Sequence, residues 1–546
     1  MANLTRRDFT ALAASAAFAP SAAASQAWDA GVIKHILPTA SARAILLKVS
    51  FREPMQAPTL LVSGRRFEGE MTDTEGRYWR FLADDLTPNS IHRLELVQRR
   101  RRLCEAWTLR TFPDANADIS SFRLLKFTCA GGLEGARSIG GIEAFRPLAI
   151  RQRLLERALS FAPDAVIANG DHIYWDQHAW LEHANAEIRR LTRETYDRFG
   201  YFDRTQLIFG TDNEALIKRL AAPQIADLYE TRLRSVPCFF IGDDHDYFEN
   251  DDASPDFVAF PPDDFNIRAA RAVQRLYYPE FLPEPTRPRR LPGASAGDTG
   301  PGISECFGTL RVGSLLEANI YDCGRYLSLS GSAAGLVPPD TENWLRARTM
   351  AEDTRHYLHI PSHPAGWTAG KWREWYPDVL ASEGGGEVVV STHGANVSGR
   401  LTTEQAKYLW QPGWFAQHQR LLGALSSQRT RAAAMISGDL HAIGHGLITS
   451  SGDLDLTRNP VHTILSGPLG SSTAGWPSFA RGTQPQPPHS VRVDQDYVPQ
   501  EKNGFTIIDV DRDRMTVRLF AWREPDSVES IDRLEPFDTF TIERPS

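Results

Sequence analysis

The residues best suited to chemistry lie in Asn169-Gly170-Asp171-His172-Ile173-Tyr174-Trp175-Asp176, directly after the apolar run Ala165-Val166-Ile167-Ala168. An Asp on the turn after a strand can bridge two metal ions with its two oxygens, and a Tyr three residues on can reach the first of them as a phenolate. Three more polar clusters end apolar runs: Phe127-Thr128-Cys129, Gly242-Asp243-Asp244-His245-Asp246 and Ser437-Gly438-Asp439-Leu440-His441. Any one of them alone reads as an ordinary turn, cap or buried thiol. Four strand-end clusters with these residue types, in this order, imply a two-metal hydrolase.

A binuclear centre needs a bridging anion, terminal ligands for each ion and a free position for water. Asp171 is the candidate bridge. Cys129 as thiolate and Tyr174 as phenolate load one ion with anionic donors, a set that favours Fe(III) over Mg or Ca. Asp171, Asp244 and Asp439 form an oxygen-rich set for the second ion, suited to Ca, with Mn, Mg or Zn as alternatives. His441, two residues past Asp439, can turn back onto the first ion. The pair would acidify a bridging water, and the resulting hydroxide would attack phosphorus in line with the leaving group. His245 would face the leaving-group side, to stabilise charge or donate a proton there. Ser391-Thr392-His393-Gly394-Ala395-Asn396 also follows an apolar run; His393 is a candidate ligand of the second ion and Asn396 a candidate phosphate contact. Asp243 and Asp246 read as loop supports. His172, His178 and His183 read as surface or core-satisfying histidines.

The elements that must position these residues belong to an α/β grammar. Leu124–Thr128, Asp164–Ala168, Val236–Ile241, Glu387–Ser391 and Ala433–Ser437 have strand length and composition, and Pro147–Phe161 has helical spacing of Leu148, Leu154, Leu155, Ala158 and Leu159. In open α/β sheets ligands collect beyond the carboxyl ends of strands, which argues for one shared site. Phe505–Val510 and Met515–Phe520 look like antiparallel edge additions. Between about 30 and 113 the chain instead shows short strands, Ile45–Val49, Thr59–Val62, Tyr78–Leu82 and His92–Val97, the pattern of a small β-sandwich. The stretch 254–302, densest in Pro and Gly from Pro279 to Pro301, reads as a surface loop or lid. Trp344, Trp367, Trp372 and Trp375 either line a cleft or form a satellite cluster.

At 546 residues the chain exceeds one hydrophobic core, so two or more domains are expected. A net charge of −8 argues against a nucleic-acid or anionic-membrane surface, and the Arg99–Arg102 run reads as a solvated hairpin tip. Arg6-Arg7 ahead of the Ala-rich stretch Ala11 to Ala24 looks like a twin-arginine export signal over residues 1–27, a route for folded, metal-loaded proteins. The localisation expected is therefore periplasmic or secreted, without integral membrane association. Five cysteines leave an odd thiol; Cys306 and Cys323 flank one apparent hairpin and are the expected disulfide, and Cys129 is expected to stay unpaired.

The motif quartet resembles the calcineurin-like metallophosphoesterases, and within them the PhoD-like alkaline phosphatase/phosphodiesterase family. Thr128-Cys129 stands where the wider superfamily begins with Asp-x-His. Gly170-Asp171-His172-Ile173-Tyr174 is similar to the branch's Gly-Asp-x-Ile-Tyr, Asp243-Asp244-His245-Asp246 to its Asp-Asp-His-Glu/Asp, and Gly438-Asp439-Leu440-His441 to its Gly-Asp-x-His. The resemblance implies a two-sheet sandwich flanked by helices (αββα) over residues 120–546, and an all-β immunoglobulin- or fibronectin-like sandwich over 28–115. It also implies an iron–calcium type centre and hydrolysis of small phosphate esters outside the cytoplasm. The long inserts after Trp175 and Asn250 and the His393 cluster depart from the common pattern. Two other classes remain open at this point: a cell-surface binding module with structural metals, and a metallohydrolase of non-phosphate esters.

Overall fold

The computed structural model describes residues 28–545 apart from 136–137, 140–141, 177–180, 182–185, 251–259, 294–301, 329–334, 369–378, 381–387, 391–395, 399, 402–411, 479–483 and 489. Residues 1–27, His178, His183, Trp372, Trp375 and His393 thus lie outside the described residues.

Runs of β-branched and aromatic residues build two small antiparallel sheets at the N-terminal end. One has the order Ile33–Ala40, Ile45–Phe51, Tyr78–Ala83, Glu70–Met71; the other has Arg65–Glu68, Thr59–Val62, Ile91–Gln98 and Arg101–Arg102, with Trp107–Arg110 also paired to Ile91–Gln98. Strand Ile91–Gln98 shows why: His92, Leu94 and Leu96 are buried while Ile91 and Arg93 are exposed, the two-residue period of a one-sided sheet. Arg99 to Arg102 are exposed at the tip of this hairpin, as their composition implied. This region is fastened to the rest of the chain by buried polar contacts. Lys48 Nζ donates to Glu280 Oε1 at 2.9 Å and to the Arg275 carbonyl at 3.0 Å, and Lys218 Nζ lies 2.9 Å from Asp73 Oδ2.

Two large sheets follow. The first has six strands in the order Cys238–Ile241, Ala165–Asn169, Ser121–Thr128, Asn503–Asp511, Arg514–Trp522, Asp538–Glu543, with the first three parallel. The second has eight; its path runs Phe307–Val312, Leu316–Tyr321, His356–Pro361, Ala432–Ser437, Val461–Ser466, Ile443–Ser451, Leu454–Asp455, and Val491–Asp494 pairs with Ile443–Ser451. Alternation along Ser121–Thr128 sends Leu124 toward the second sheet, where it shares a cluster with Ile320, Ile360, Ile436 and Ile464. Leu125 and Phe127 face the other way, onto Leu154, Leu155 and Ala158 of helix Leu148–Leu159 and Val273 of helix Asp264–Tyr277. The latter helix is capped by Asp263, whose carboxylate accepts from Phe265 and Asn266 N–H at 2.9 Å each.

Several expectations need correction. Asn503–Asp511 is no edge addition: it sits inside the first sheet, antiparallel to Ser121–Thr128. The run around Val388–Val390 pairs, among the described residues, with Asn396–Ser398 in a separate two-stranded sheet. Cys306 and Cys323 are both free. Asp322 N–H donates to the Cys306 carbonyl, so Cys306 faces Asp322 across the hairpin and Cys323 is one residue out of register for a cross-strand bridge. The described part of the 254–302 stretch is no draped loop: it contains the helix Asp264–Tyr277, and past Pro279 the residues Phe281, Leu282, Arg287 and Leu291 are buried, with Phe281 bridging to Ser304. Trp344 and Trp367 belong to apolar clusters, their indole N–H groups donating to the Thr286 carbonyl and Gln495 Oε1 at 2.8 and 2.7 Å. Among the described residues, no helix is long and apolar enough to cross a membrane.

Candidate metal centre

Register brings the strand ends together. Thr128 pairs with Asn169 and Asn169 with Ile241, so Cys129, Gly170-Asp171 and Gly242-Asp243-Asp244 leave the first sheet side by side. The second sheet meets them at the same level. Gly438 N–H donates to the Ser362 carbonyl at 3.1 Å, Asn169 Nδ2 donates to the Pro361 carbonyl at 3.0 Å, and Thr128 N–H donates to the Gly467 carbonyl at 2.9 Å. Only a glycine fits at 438: a Cβ there would stand 2.2 Å from Thr128 Oγ1. At this junction four non-glycine residues, Cys129, Asp171, Asp439 and His441, take left-handed backbone with φ of 44°, 56°, 66° and 51°. Such conformations cost about 1–3 kcal/mol each and concentrate at functional sites.

Cys129 Sγ lies 3.2 Å from Asp171 Oδ2 and 3.7 Å from the Asp439 carbonyl. Tyr174 Oη contacts the same Asp171 oxygen at 2.9 Å and His441 Nε2 at 3.0 Å. Ser471 Oγ holds His441 Nδ1 at 2.7 Å, which turns Nε2 toward the tyrosine. Three ligand groups form here, two of them sharing Asp171: Cys129 with Asp171 and His441, Asp171 with Asp244 and His245, and, joined to the second through Asp244, Asp243 with Asp244 and Asp439. Within each, the ligand atoms lie within 4.8 Å of one another, and all of these residues are buried.

Burial makes this an electrostatically unbalanced place. It pushes the Cys129 thiol well above its ordinary range, and neighbouring Asp171 adds to the effect. The Tyr174 phenol is raised well above its usual value by burial, then by Asp171 and Cys129. The Asp171 carboxyl is likewise raised, chiefly by burial, with His245 opposing and Asp244, Asp243 and Asp246 adding to the rise. A bound cation reverses this logic, because it favours each ionised form. Asp171 Oδ1 supplies an independent sign: it is buried and accepts no hydrogen bond from any described residue. The donor set therefore fits bound cations, with sulfur and phenol oxygen beside Asp171 in one candidate group and carboxylates in the others.

Three supporting residues sit around this core. Asp176 Oδ1 lies 2.6 Å from His245 Nδ1. Burial alone would lower the His245 pKa, but Asp176, Asp244 and Asp171 outweigh it and raise the value to about 10. Asp246, expected as a loop support, accepts the backbone N–H of Asp171 (2.8 Å), His172 (2.8 Å), Ile173 (3.2 Å) and Asp243 (2.9 Å), joining two of the ligand loops. His363 Nδ1 lies 2.8 Å from Asp243 Oδ1. Sequence reasoning gave no role to Asp176 or His363. Asp176 lies inside the first motif, and His363 ends the run His356–Pro361 as the other site residues end theirs, so a strand-end signal existed for both. His172 is a core histidine, as read: its Nε2 meets the Ile241 carbonyl at 2.9 Å, and burial lowers its pKa to about 4. Asn396 opens the strand Asn396–Ser398, where only the backbone is described.

No family model matches the sequence, and none of the curated proteins matches it. Solved structures do. The structure of PhoD superposes with a TM-score of 0.53 at 12% identity, covering 94% of this chain and 91% of that one. The fold is that of PhoD. Purple acid phosphatase PPD1 from yellow lupin (Lupinus luteus) seeds superposes with a TM-score of 0.51 at 10% identity, over 93% of this chain and 73% of that one. The PhoD likeness extends over the N-terminal sheets as well as the two large ones, since it spans nearly the whole length of both chains.

Proposed function

We propose that this chain is a metal-dependent phosphoesterase that hydrolyses small phosphate mono- or diesters. The observation that carries the reading is the meeting of Cys129, Asp171, Tyr174 and His441 at the strand ends of a PhoD-type fold. We take the two large sheets as a two-sheet sandwich over 120–546, and residues 28–115 as an appended immunoglobulin-like sandwich. Residues 1–27, with Arg6 and Arg7, fit delivery of the folded protein to the periplasm or exterior by the twin-arginine machinery.

Cys129, Tyr174, Asp171 and His441 would hold one cation, an iron, and Asp171, Asp244 and Asp439 the other, a calcium or similar oxygen-seeking ion, with Asp243, His363 and His393 as further candidates beside it. When bound, the pair supplies positive charge for the phosphoryl oxygens and for acidifying the attacking water. His245 holds a proton opposite Asp176 and delivers it from Nε2 to the leaving oxygen. Asp176 keeps the Nδ1 proton in place and the ring aimed. Asp246 keeps the Asp171 and Asp243 loops at fixed separation, and Asn396 is the candidate phosphate contact.

The test is elemental analysis of natively exported protein, joined to a panel of chromogenic phosphate monoesters, diesters and carboxylic esters with and without chelator. Two metals per chain, visible phenolate-to-iron absorption and chelator-sensitive phosphate release are expected. Metal-free protein, or turnover of carboxylic esters alone, would reject the reading.

A further inference from the structure

Gln224 belongs to none of the metal-ligand motifs, yet its side chain touches two of the loops that carry them. It is 1% exposed. Its Oε1 accepts the Gly132 N–H at 2.8 Å and the Tyr174 N–H at 2.9 Å, and its Nε2 donates to the Leu220 carbonyl at 3.0 Å. Gly132 is three residues past Cys129, so one amide oxygen ties the thiol loop to the phenol loop.

The local sequence explains how the amide reaches both. Helix Asp212–Ala221 runs into Ala222–Ala226, which winds as a π turn. Pro223 has no N–H with which to continue the α-helical ladder, and the widened turn points Gln224 into the protein. Single π turns of this kind recur at functional sites. Around it Leu220, Ala221, Ile225, Ala226 and Leu228 are fully buried, so the inner face of the platform carrying the amide is packed, while Ala222, Pro223 and Asp227 lie half-buried on the other face.

We propose that Gln224 is a positioning residue for the Cys129/Tyr174 cation site, setting the separation of the two loops that bring thiol and phenol to Asp171. The inference rests on the proposed function. Residues that act behind metal ligands typically change metal affinity or activity 10–100-fold when removed, and loss of this clamp falls in that class.

The test uses the full metal-loaded chain and three variants, reading metal content after dialysis against graded chelator, the visible absorption band and thermal unfolding. Gln224→Leu removes the shared acceptor; it is expected to release the first cation at about 10–100-fold lower chelator and to shift the band. Gln224→Glu keeps an acceptor oxygen on the same stem and is expected to stay within a few-fold of wild type. Gln417→Leu is the control for mere destabilisation, since Gln417 Oε1 accepts Leu336 and Val337 N–H at 2.7 and 3.2 Å elsewhere in the fold. It should melt earlier and keep its metal and band. If Gln224→Leu does not fold, Gln224→Asn, too short to reach both loops, replaces it with the same expectation. Wild-type retention and an unmoved band in the Gln224 variant, or equal loss in Gln417→Leu, overturns the inference alone. A wild type that binds no metal overturns the proposed function as well.

Discussion

Replacing Asp176 by Asn isolates the role of His245. The change keeps size, and the amide oxygen can still accept from Nδ1–H, so the ring stays where the 2.6 Å contact holds it. Only the charge is lost. His245 is raised to about 10 by Asp176, Asp244 and Asp171, against burial. In the loaded site the cations offset the charges of Asp171 and Asp244, which leaves Asp176 to keep the imidazolium protonated. Without it burial, the largest single influence on this ring, takes the pKa to the ordinary 6.5 or below. The protonated fraction then drops from nearly all to about 1% or less at pH 8.5, roughly a 100-fold or greater loss of the acid, and to about half or less at pH 6.5. The assay is kcat/KM from pH 6 to 9 for one phosphate ester with an alkyl leaving group and one with a nitrophenyl leaving group, at full metal loading. Asp176→Asn should pull the alkaline limb of the alkyl ester down by about 100-fold or more at pH 8.5, while the nitrophenyl ester, which leaves without a proton, changes little. Equal losses on both esters, or an unmoved alkaline limb, would refute the assignment of His245 as proton donor.

Two further outcomes follow from the packing. His35, fully buried between Ser50 Oγ and the Tyr277 carbonyl, has its pKa lowered by burial to about 4. A lowered folded-state value means the unfolded chain binds the extra proton first, so this contribution is whole above pH 6.5 and is lost as pH falls toward 4. Between pH 7 and 5 it amounts to about 2 kcal/mol; thermal melts of His35→Gln should show a smaller acid-induced drop than wild type, and an identical drop would remove the claim. Gly438→Ala places a Cβ 2.2 Å from Thr128 Oγ1 and 2.8 Å from the Asn169 carbonyl. The two sheet ends must part beside Asp439, with an expected activity loss on the order of 100-fold and a stability cost of about 1–3 kcal/mol; full activity at wild-type melting temperature would contradict this close approach.

The legible part of the fold was the part whose composition matches its burial. Strands Ser121–Thr128, Ala165–Asn169, Cys238–Ile241 and Ala432–Ser437 are covered on both faces and read as apolar runs. Strands Phe307–Val312, Leu316–Tyr321 and His356–Pro361 are just as buried but carry Arg311, Glu317, His356 and His359. Their charges are satisfied inside: Arg311 Nη1 lies 3.0 Å from Glu317 Oε2, and Arg348 Nε donates to Glu317 Oε1 at 2.7 Å. The first two strands were legible as one hairpin all the same, and His356–Pro361, with His356 and His359 inside it, was the strand that gave no strand reading. Asn503–Asp511 was misplaced because its partner Ser121–Thr128 lies at the far end of the chain. At the site, residues at strand ends were readable because position and type agree there. Asp176 sits within the readable first motif, whereas Gln224 contacts loops many positions away and no local pattern marks it.

The site separates two kinds of cost, and different groups meet each. The backbone cost lies in the left-handed residues, and protein hydrogen bonds hold them. Cys129 N–H donates to the Gly170 carbonyl at 3.2 Å, Asp171 N–H to Asp246 Oδ2 at 2.8 Å, and Gly438 N–H to the Ser362 carbonyl just before Asp439. None of these involves a ligand atom of the candidate donors. The electrostatic cost lies in the side chains of Cys129, Asp171 and Tyr174, all pushed toward their neutral forms by burial, Cys129 and Tyr174 also by Asp171, and Asp171 also by Asp244, Asp243 and Asp246. Their mutual contacts cannot remove it, because each is an acid set against another acid. Loops already fixed by the protein, presenting acids whose ionised forms a cation would favour, fit the proposed cation site as one preorganised rather than assembled by its ions.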